Sequence, residues 1–224
     1  MRPLACRSPM RSTREIVEVS PAIALALLTA LRASDTPSEV IEDESFRISL
    51  PRRLGLNEVV DKQMRRYTEI SDRRGTISAD EFASLLGLID RRPDAGAIFA
   101  AAGRSLGEAR FSRPGTVDRA RARLTPAGLK RRRLLRSMIE VARALQPGSS
   151  ITSVSDAGVD GIEIREPPLA AATAAGAGCA LLTGALEICV ARLGGDLYGI
   201  DHPRCIARGD DHCRWTARRV VPSV

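Results

Sequence analysis

The C-terminal stretch "YGIDHPRCIARGDDHCRW", residues 198–215, concentrates residue types that are rare elsewhere in the chain. It contains both histidines, two of the five cysteines and the only tryptophan. Thiolate sulfur and imidazole nitrogen are the ligands that zinc prefers in proteins. This clustering therefore indicates a metal site near the C-terminal end of the chain.

Four residues in and before this stretch have a spacing suited to one metal ion, in the order C-x22-H-x2-C-x7-C: Cys179, His202, Cys205 and Cys213. The two-residue gap between His202 and Cys205 lets a single turn present two ligands. A reversal at residues 209–210, Gly-Asp, would return Cys213 to the side of Cys205. Cys179 must then come from a preceding helix. Three thiolates and one imidazole match a closed structural zinc site, which has no open position for water.

The same residues have a simpler interpretation, as buried free thiols beside a surface histidine, because cysteine is often buried for packing alone. His212 competes as a ligand, but in a strand it should point away from Cys213. The aspartates at 210–211 are interpreted as turn formers. Cys189 is assigned to the core, and Cys6 is expected to be a free thiol near the N-terminus.

No catalytic fingerprint emerges from the sequence. The glycines of "AGAGCALLTG" lack the order and the strand context of a phosphate loop. We find no Ser–His–Asp set, no paired carboxylates and no flavin or nicotinamide motif. Because both histidines lie in one short stretch, few residues remain for acid–base catalysis, and the sequence favours a non-enzymatic role.

Composition limits the kind of core and the partners that the chain can have. Of the 224 residues 44% are hydrophobic but only 3% are aromatic, so the core is built mainly from Ala, Leu, Ile and Val. The formal net charge is +7. The densest basic run, "KRRRLLR" at residues 130–136, is interpreted as a solvated helix face whose buried side carries Leu134, Leu135 and Met138. No aromatic residues interleave the arginines, so we do not expect a nucleic-acid partner.

Two features bear on the compartment. The first residues contain no hydrophobic signal region, and an odd number of cysteines does not form a disulfide framework, so a reducing cytoplasm is expected. Residues 169–186, "LAAATAAGAGCALLTGAL", carry no charge and are just long enough to span a membrane. Because they are mostly Ala and Gly, we predict instead a buried helix whose small residues allow close approach to a sheet. Peripheral contact with the cytoplasmic face of a membrane stays open.

The elements that must position these residues follow from caps and periodicity. Helices are predicted over residues 21–33, 57–67, 78–88, 93–111, 126–145 and 167–194. Residues 112–124 are predicted to form a loop or a short helix. Two strands around a turn at 157–161 are predicted between residues 149 and 166, and two more over 196–200 and 212–220. The sum is an α+β fold, with N-terminal helices followed by the order strand–strand–helix–strand–strand.

"CIARGDDHCRWTARR", after a helix rich in small residues and a short strand, resembles the C-terminal signature of the 4-vinyl-reductase domain family. "AIFAAAGRSLGEARF" is similar to that family's helix with a small residue–Gly–x–x–x–Gly pattern. The family is named from a protein of bacteriochlorophyll biosynthesis and also supplies the sensory domains of some aromatic-responsive transcription activators. The resemblance covers residues 85–220, which divides the chain into a poorly ordered leader (1–19), an N-terminal helical region (20–84) and this zinc-containing domain.

The resemblance implies a fold shared with small subunits of vesicle-tethering complexes, in which helices pack on an antiparallel sheet, and it implies a dimer. In the aromatic-sensing members a zinc is held by one helix cysteine, an acidic residue and two further cysteines. The cysteines of that set fall on Cys179, Cys205 and Cys213. The acidic position falls on His202, which departs from the pattern but is an equally good zinc ligand.

The resemblance also implies a cavity between the helices and the sheet that takes a hydrophobic small molecule. The expected wall residues, which suit a filled core equally well, are Phe99, Leu106, Leu135, Met138 and Ile139. Without an ATPase module or a helix-turn-helix, the sequence favours the pigment-pathway branch: a tetrapyrrole-binding or assembly protein, or a subunit attached to a photosynthetic complex. The alternatives are an aromatic sensor, an enzyme of vinyl-group reduction and a purely structural interaction protein.

Overall fold

The structure is a computed structural model that describes residues 18–35, 56–111, 126–156, 159–194 and 198–219. The expectations for Cys6, for residues 1–17 of the leader and for the segment 112–124 lie outside these residues. Residues 157–158, the first two of the hairpin turn expected at 157–161, also lie outside the described residues. Gly161, the last residue of that expected turn, lies within a strand.

Among residues 18–35 and 56–111, the structure contains four helices and a short two-stranded ribbon. The elements are β1 (Glu18–Val19), α1 (Pro21–Ser34), α2 (Leu56–Asp72), β2 (Ile77–Ser78), α3 (Ala79–Asp90) and α4 (Ala95–Arg110). Two of these helices begin at capping serines, since the hydroxyl of Ser20 accepts a hydrogen bond from the Ala22 amide and that of Ser78 accepts one from the Glu81 amide. The ribbon was not predicted. It pairs β1 with β2 antiparallel and buries Val19 and Ile77, so residues 18–19 join the folded body.

The described part of the C-terminal half contains one helix before the sheet, and a short helix and a long helix inserted between its two pairs of strands. The elements are α5 (Ala127–Leu145), β3 (Ser150–Asp156), β4 (Val159–Arg165), α6 (Pro168–Ala171), a 3₁₀ turn (Ala174–Gly176), α7 (Cys179–Gly194), β5 (Tyr198–Arg204), a second 3₁₀ turn (Ile206–Arg208) and β6 (Cys213–Arg219). The strands form one antiparallel sheet in the order β3-β4-β6-β5. The predicted α+β class and strand–strand–helix–strand–strand order are therefore confirmed.

The prediction of one continuous helix over residues 167–194 is wrong. Helix α6 ends after one turn, and the chain passes through left-handed backbone at Ala175, with φ of 49°, and at Gly176, with φ of 74°, before α7 begins. An L-residue cannot continue a right-handed helix in that conformation. The hydroxyl of Thr173 joins the two pieces, because it donates to the Leu169 carbonyl and accepts from the Gly178 amide.

Helix α7 packs against α4, α5 and β5, and its tightest contact is with α4. A β-carbon at Gly103 of α4 would overlap the carbonyl oxygen of Leu181, and one at Gly184 of α7 would overlap the carbonyl oxygen of Ala100. Glycine on both sides of the crossing therefore brings the two backbones together. The small residues of α7 were expected to allow close approach to a sheet, but at these positions the close neighbour is a helix.

Residues Ala174–Leu193 are long and apolar enough to cross a membrane by length and composition, with a mean hydropathy of 1.7. Half of that window is buried inside the fold. The burial against α4, α5 and β5 accounts for the apolar composition, since the core helix of a water-soluble domain passes the same test.

Candidate metal centre

The structure brings all four predicted ligands together, from α7, β5, the turn after β5 and the start of β6. Their donor atoms lie within 4.8 Å of one another. The Sγ atom of Cys205 is 3.9 Å from that of Cys179 and 3.7 Å from that of Cys213. A tetrahedral zinc with bonds of about 2.3 Å to sulfur requires sulfur atoms about 3.8 Å apart. The cluster could therefore hold a metal ion such as zinc without rearrangement of its sulfur atoms.

Cys179 owes its position to the break between α6 and α7. It is the first residue of α7, so its side chain lies at the helix end beside the left-handed turn. That turn contacts the 3₁₀ turn of residues Ile206–Arg208, which follows Cys205. The Ala174 amide donates to the carboxylate of Asp90 on α3 at 2.6 Å, which ties the turn to the helical half. A continuous helix would have no such contact surface at this point.

His202 lies in a bulge of β5. Asp201 pairs with Thr216 and Arg204 pairs with Arg214, so residues 202 and 203 together oppose the single residue Trp215 on β6. Bulges of this kind re-aim a side chain, and Pro203 suits the position because it has no amide to donate. Strand alternation alone could not have predicted the direction of the His202 ring.

Cys205 and Cys213 are held by the reversal that the sequence predicted. The Asp210 carboxylate accepts a hydrogen bond of 2.6 Å from the Cys205 amide, and Gly209 takes the left-handed conformation with φ of 95°. The Ile206 amide donates to the Sγ atom of Cys213 at 3.4 Å. Asp210 is thus a turn former, as expected, and the turn returns Cys213 to the side of Cys205.

Trp215 explains why the only tryptophan occurs in this stretch. Its ring stacks on the His202 imidazole with centroids 4.2 Å apart and an angle of 9° between the planes. The indole nitrogen donates to the hydroxyl of Thr183 on α7 at 2.9 Å, and that hydroxyl donates to the Cys179 carbonyl at 3.1 Å. A single chain of contacts therefore orients two ligands on different elements, and groups of this kind are typical around metal sites.

The hydrogen-bonding state of His202 suits a metal ligand. The Nε2 atom of His202 is buried and has no hydrogen-bond partner in the part of the chain that the structure describes. An unpartnered buried imidazole nitrogen is costly unless it binds an ion or an ordered water.

The three thiols differ in pKa. Hydrogen bonds from the thiol of Cys179 and from the Ile206 amide hold the pKa of Cys213 well below its ordinary value. The hydrogen bond to Cys213, together with burial, raises the pKa of Cys179, and burial raises that of Cys205. Zinc binds the thiolate form of cysteine, so the raised pKa values of Cys179 and Cys205 mean that these two thiols must lose protons to bind it. Zinc would displace the remaining protons, so its affinity should fall as the pH falls.

Among the described residues, the other cysteine and the other histidine lie outside the cluster. Cys189 is fully buried in α7, as predicted for a core residue, and burial raises its pKa to about 12. His212 is buried in the bend before β6, with its Nδ1 atom 2.6 Å from the carboxylate of Asp211 and its Nε2 atom 3.3 Å from that of Glu163. It therefore contacts two carboxylates instead of the group of four.

Gly176 is a functional position that the sequence analysis missed. A β-carbon there would lie 2.7 Å from the Sγ atom of Cys205 and 3.9 Å from that of Cys179. The sequence feature that could have indicated this position is the first glycine of "AGAGC", three residues before the ligand Cys179. Its use becomes visible only when the turn is seen against the sulfur atoms.

Replacing Gly176 by alanine is expected to lower zinc affinity by at least about tenfold, because the new methyl group displaces a ligand sulfur from a site of fixed bond length. Gly209→Ala is the matched control: it has a positive φ of 95° but no atom within 4 Å of the added carbon. It should cost only the left-handed strain of about 1–2 kcal/mol. Competition with a chromophoric chelator measures both affinities, and equal values would show that the methyl group does not reach the ligands.

The predicted ligand-binding residues occupy the core beside α4 and α5. Phe99 and Met138 are fully buried, Leu106 and Ile139 are partly buried and pack against the core, and Leu135 is half-buried. A cavity of about 390 Å³ lies elsewhere, between α1 and α2, and is lined mainly by polar residues such as Asp61 and Thr68. The apolar cavity beside α5 stays a prediction.

Comparisons of the chain with family models, with curated proteins and with solved structures found no match. The evidence for a function therefore comes from the geometry of the cluster and from the residues that surround it.

Proposed function

We propose that this chain is a non-enzymatic binding or assembly protein whose C-terminal half is held together by one structural zinc ion. The observation that carries the proposal is the group of four donor atoms within 4.8 Å of one another, with three of the four residues buried. Cys179, His202, Cys205 and Cys213 would hold the ion.

A structural role is favoured over a catalytic one by the number and placement of the ligands. Four protein ligands complete the tetrahedral preference of zinc and leave no position for a reactive water. The ligands also join the start of α7 to both ends of the β5–β6 connection. An ion at this point would cross-link elements that otherwise meet through short turns and few hydrogen bonds.

Metal analysis of the freshly purified protein tests the zinc directly. We expect about one zinc per chain by mass spectrometry, with cobalt substitution giving the intense visible bands of a tetrahedral thiolate site. Cys189→Ala is the matched control, because it removes a buried thiol that lies outside the cluster. Protein that contains no zinc and takes up neither metal would overturn the proposal.

For the ligand, we propose a hydrophobic small molecule, of which a tetrapyrrole-pathway intermediate is the first candidate. Its support is the resemblance of residues 85–220 to the 4-vinyl-reductase domain family, together with helices packed on an antiparallel sheet around the buried Phe99 and Met138. Attachment to a photosynthetic complex and a cytoplasmic location belong to the same proposal.

Ligand extraction and titration separate this function from its alternatives. Saturable binding of a chlorophyll precursor supports the tetrapyrrole assignment, whereas binding of simple phenols alone would favour an aromatic sensor. A flavin spectrum in the purified protein would favour an enzyme of vinyl-group reduction. If the protein binds none of these compounds, the remaining function is that of a structural interaction protein. That result would contradict the proposed ligand but not the proposed zinc site, which metal analysis tests separately.

A further inference from the structure

Helix α5 has one buried side and one side that faces solvent. Its buried side packs on β3, β4 and α7 through Leu134, Met138, Val141, Ala142 and Leu145. Arg131 lies at the edge of the contact, where it bonds to the carboxylate of Asp160 and to the hydroxyl of Ser155. These contacts fix the rotation of the helix and therefore which residues point outward.

The outward side is predominantly basic. Arg132, Arg133, Arg136 and Arg143 are exposed, and none has a hydrogen-bond or ion-pair partner in the part of the chain that the structure describes. The acidic residue on that side, Glu140, accepts a hydrogen bond of 3.2 Å from Arg110 of α4. These four arginines define what we call the basic face of α5.

The grouping of these arginines on one helix distinguishes the face. Several exposed arginines on other elements are paired with acids, as Arg66 is with Glu81, Arg104 with Glu187 and Arg218 with Asp201, whereas this face brings four unpaired ones together on a single helix. Four neighbouring arginines, with one acid among them that is itself bonded to Arg110, repel one another, so the face would gain free energy from an anionic surface that neutralises it.

The basic face also carries one exposed apolar residue. Leu129 is 56% exposed and lies on the same line of the helix as Arg132, Arg136 and Arg143. This line runs over about 21 Å of helix at 1.5 Å per residue. A row of guanidinium groups with a leucine at one end matches a bilayer interface, where arginines meet headgroup phosphates and an apolar side chain enters the acyl boundary.

We propose that the basic face of α5 docks the protein on a membrane that contains anionic lipids. A planar anionic surface fits because α5 offers a single outward face on which the exposed Leu129 accompanies the arginines. No aromatic side chain lies among the arginines to stack on nucleic-acid bases. The docking needs neither the zinc nor the small-molecule ligand.

Co-sedimentation with vesicles tests the proposal on the full chain. We expect binding to phosphatidylcholine vesicles that contain about 30% phosphatidylglycerol, weak binding to phosphatidylcholine alone, and loss of binding between about 0.1 M and 0.5 M NaCl. Replacing the four arginines of the basic face by glutamine should lower the partition coefficient on the order of a thousandfold, because each basic group near such a surface contributes about 1 kcal/mol. Circular dichroism checks that the variant is folded.

The matched control removes the same charge elsewhere, through glutamine at Arg65, Arg73, Arg74 and Arg91, which are also exposed and lie on other elements. Retained binding by this control, with loss in the α5 variant, supports the proposal. Equal loss in both would assign the effect to net charge and overturn it. Binding to a DNA duplex of about 20 base pairs without binding to the anionic vesicles would also overturn it.

Discussion

Cys213→Ser is expected to lose the bound zinc and to lower the free energy of unfolding by about 4 kcal/mol or more. Structural zinc binding is part of the folding free energy, and a serine hydroxyl does not ionise to replace a thiolate. Cys213 is also the first residue of β6 and pairs with Ile164 of β4, so loss of the metal would loosen the strand at the centre of the sheet. Thermal unfolding with and without added zinc is the measurement, and a fall in melting temperature of about 10 °C is expected.

The control for this experiment is Cys189→Ser, which makes the same chemical change at another fully buried position. It should retain about one zinc per chain, and the loss should be limited to the ordinary cost of a buried hydroxyl, about 1–3 kcal/mol. Added zinc should raise the melting temperature of the metal-depleted wild-type protein and not that of Cys213→Ser, because only a folded protein with an intact site is stabilised by mass action. If Cys213→Ser keeps its zinc and its melting temperature, Cys213 is not a ligand.

Part of this site could be predicted from the sequence alone. The choice of ligands follows from residue types and spacing, and the reversal at residues 209–210 follows from turn chemistry, since both are local properties. The bulge at His202 was not predictable, because it is defined by the pairing of β5 with β6 and strand alternation gives no sign of it. The contact between Trp215 and His202 depends on that bulge.

The break between α6 and α7 was missed for a related reason. Residues 167–194 are rich in alanine, which favours helix, and the local signals for a break are weak. The left-handed turn at Ala175 and Gly176 is held by contacts from distant parts of the chain, including Asp90 and the turn after Cys205. Long-range contacts of this kind override local propensity, and they are the contacts that place Cys179 at the cluster.

The small residues of α7 correctly indicated that another element packs closely against this helix. The prediction named a sheet as that element, whereas at the glycines it is helix α4. A stripe of Ala and Gly indicates that something approaches closely, but it does not say whether a helix or a sheet does so. In the structure α4 brings its own glycines to the same place, so that Gly103 faces Leu181 and Gly184 faces Ala100. The spacing of Gly103 and Gly107, one helical turn apart, was visible in the sequence but had not been matched to α7.

Gly103→Ala is accordingly expected to be among the most destabilising single substitutions outside the metal cluster, with a loss of about 3 kcal/mol. The added methyl group would overlap the carbonyl oxygen of Leu181 and come within 3.0 Å of the Ala185 amide, and backbone atoms cannot rotate away as a side chain can. The helices must separate instead, which opens the packing of α7 along its length. Chemical denaturation of the zinc-loaded protein measures the loss.

Gly96→Ala makes the same change in the same helix at a position that α7 does not contact. No atom lies within 4 Å of its added carbon. Alanine is favoured over glycine in a helix by about 0.5–1 kcal/mol, so this variant should be unchanged or slightly more stable. The difference between the two variants isolates the α4–α7 contact from helix propensity. Because α7 carries Cys179 at its first residue, Gly103→Ala should also weaken zinc binding, whereas Gly96→Ala should not. Equal stability of the two variants would mean that α4 and α7 do not cross at Gly103.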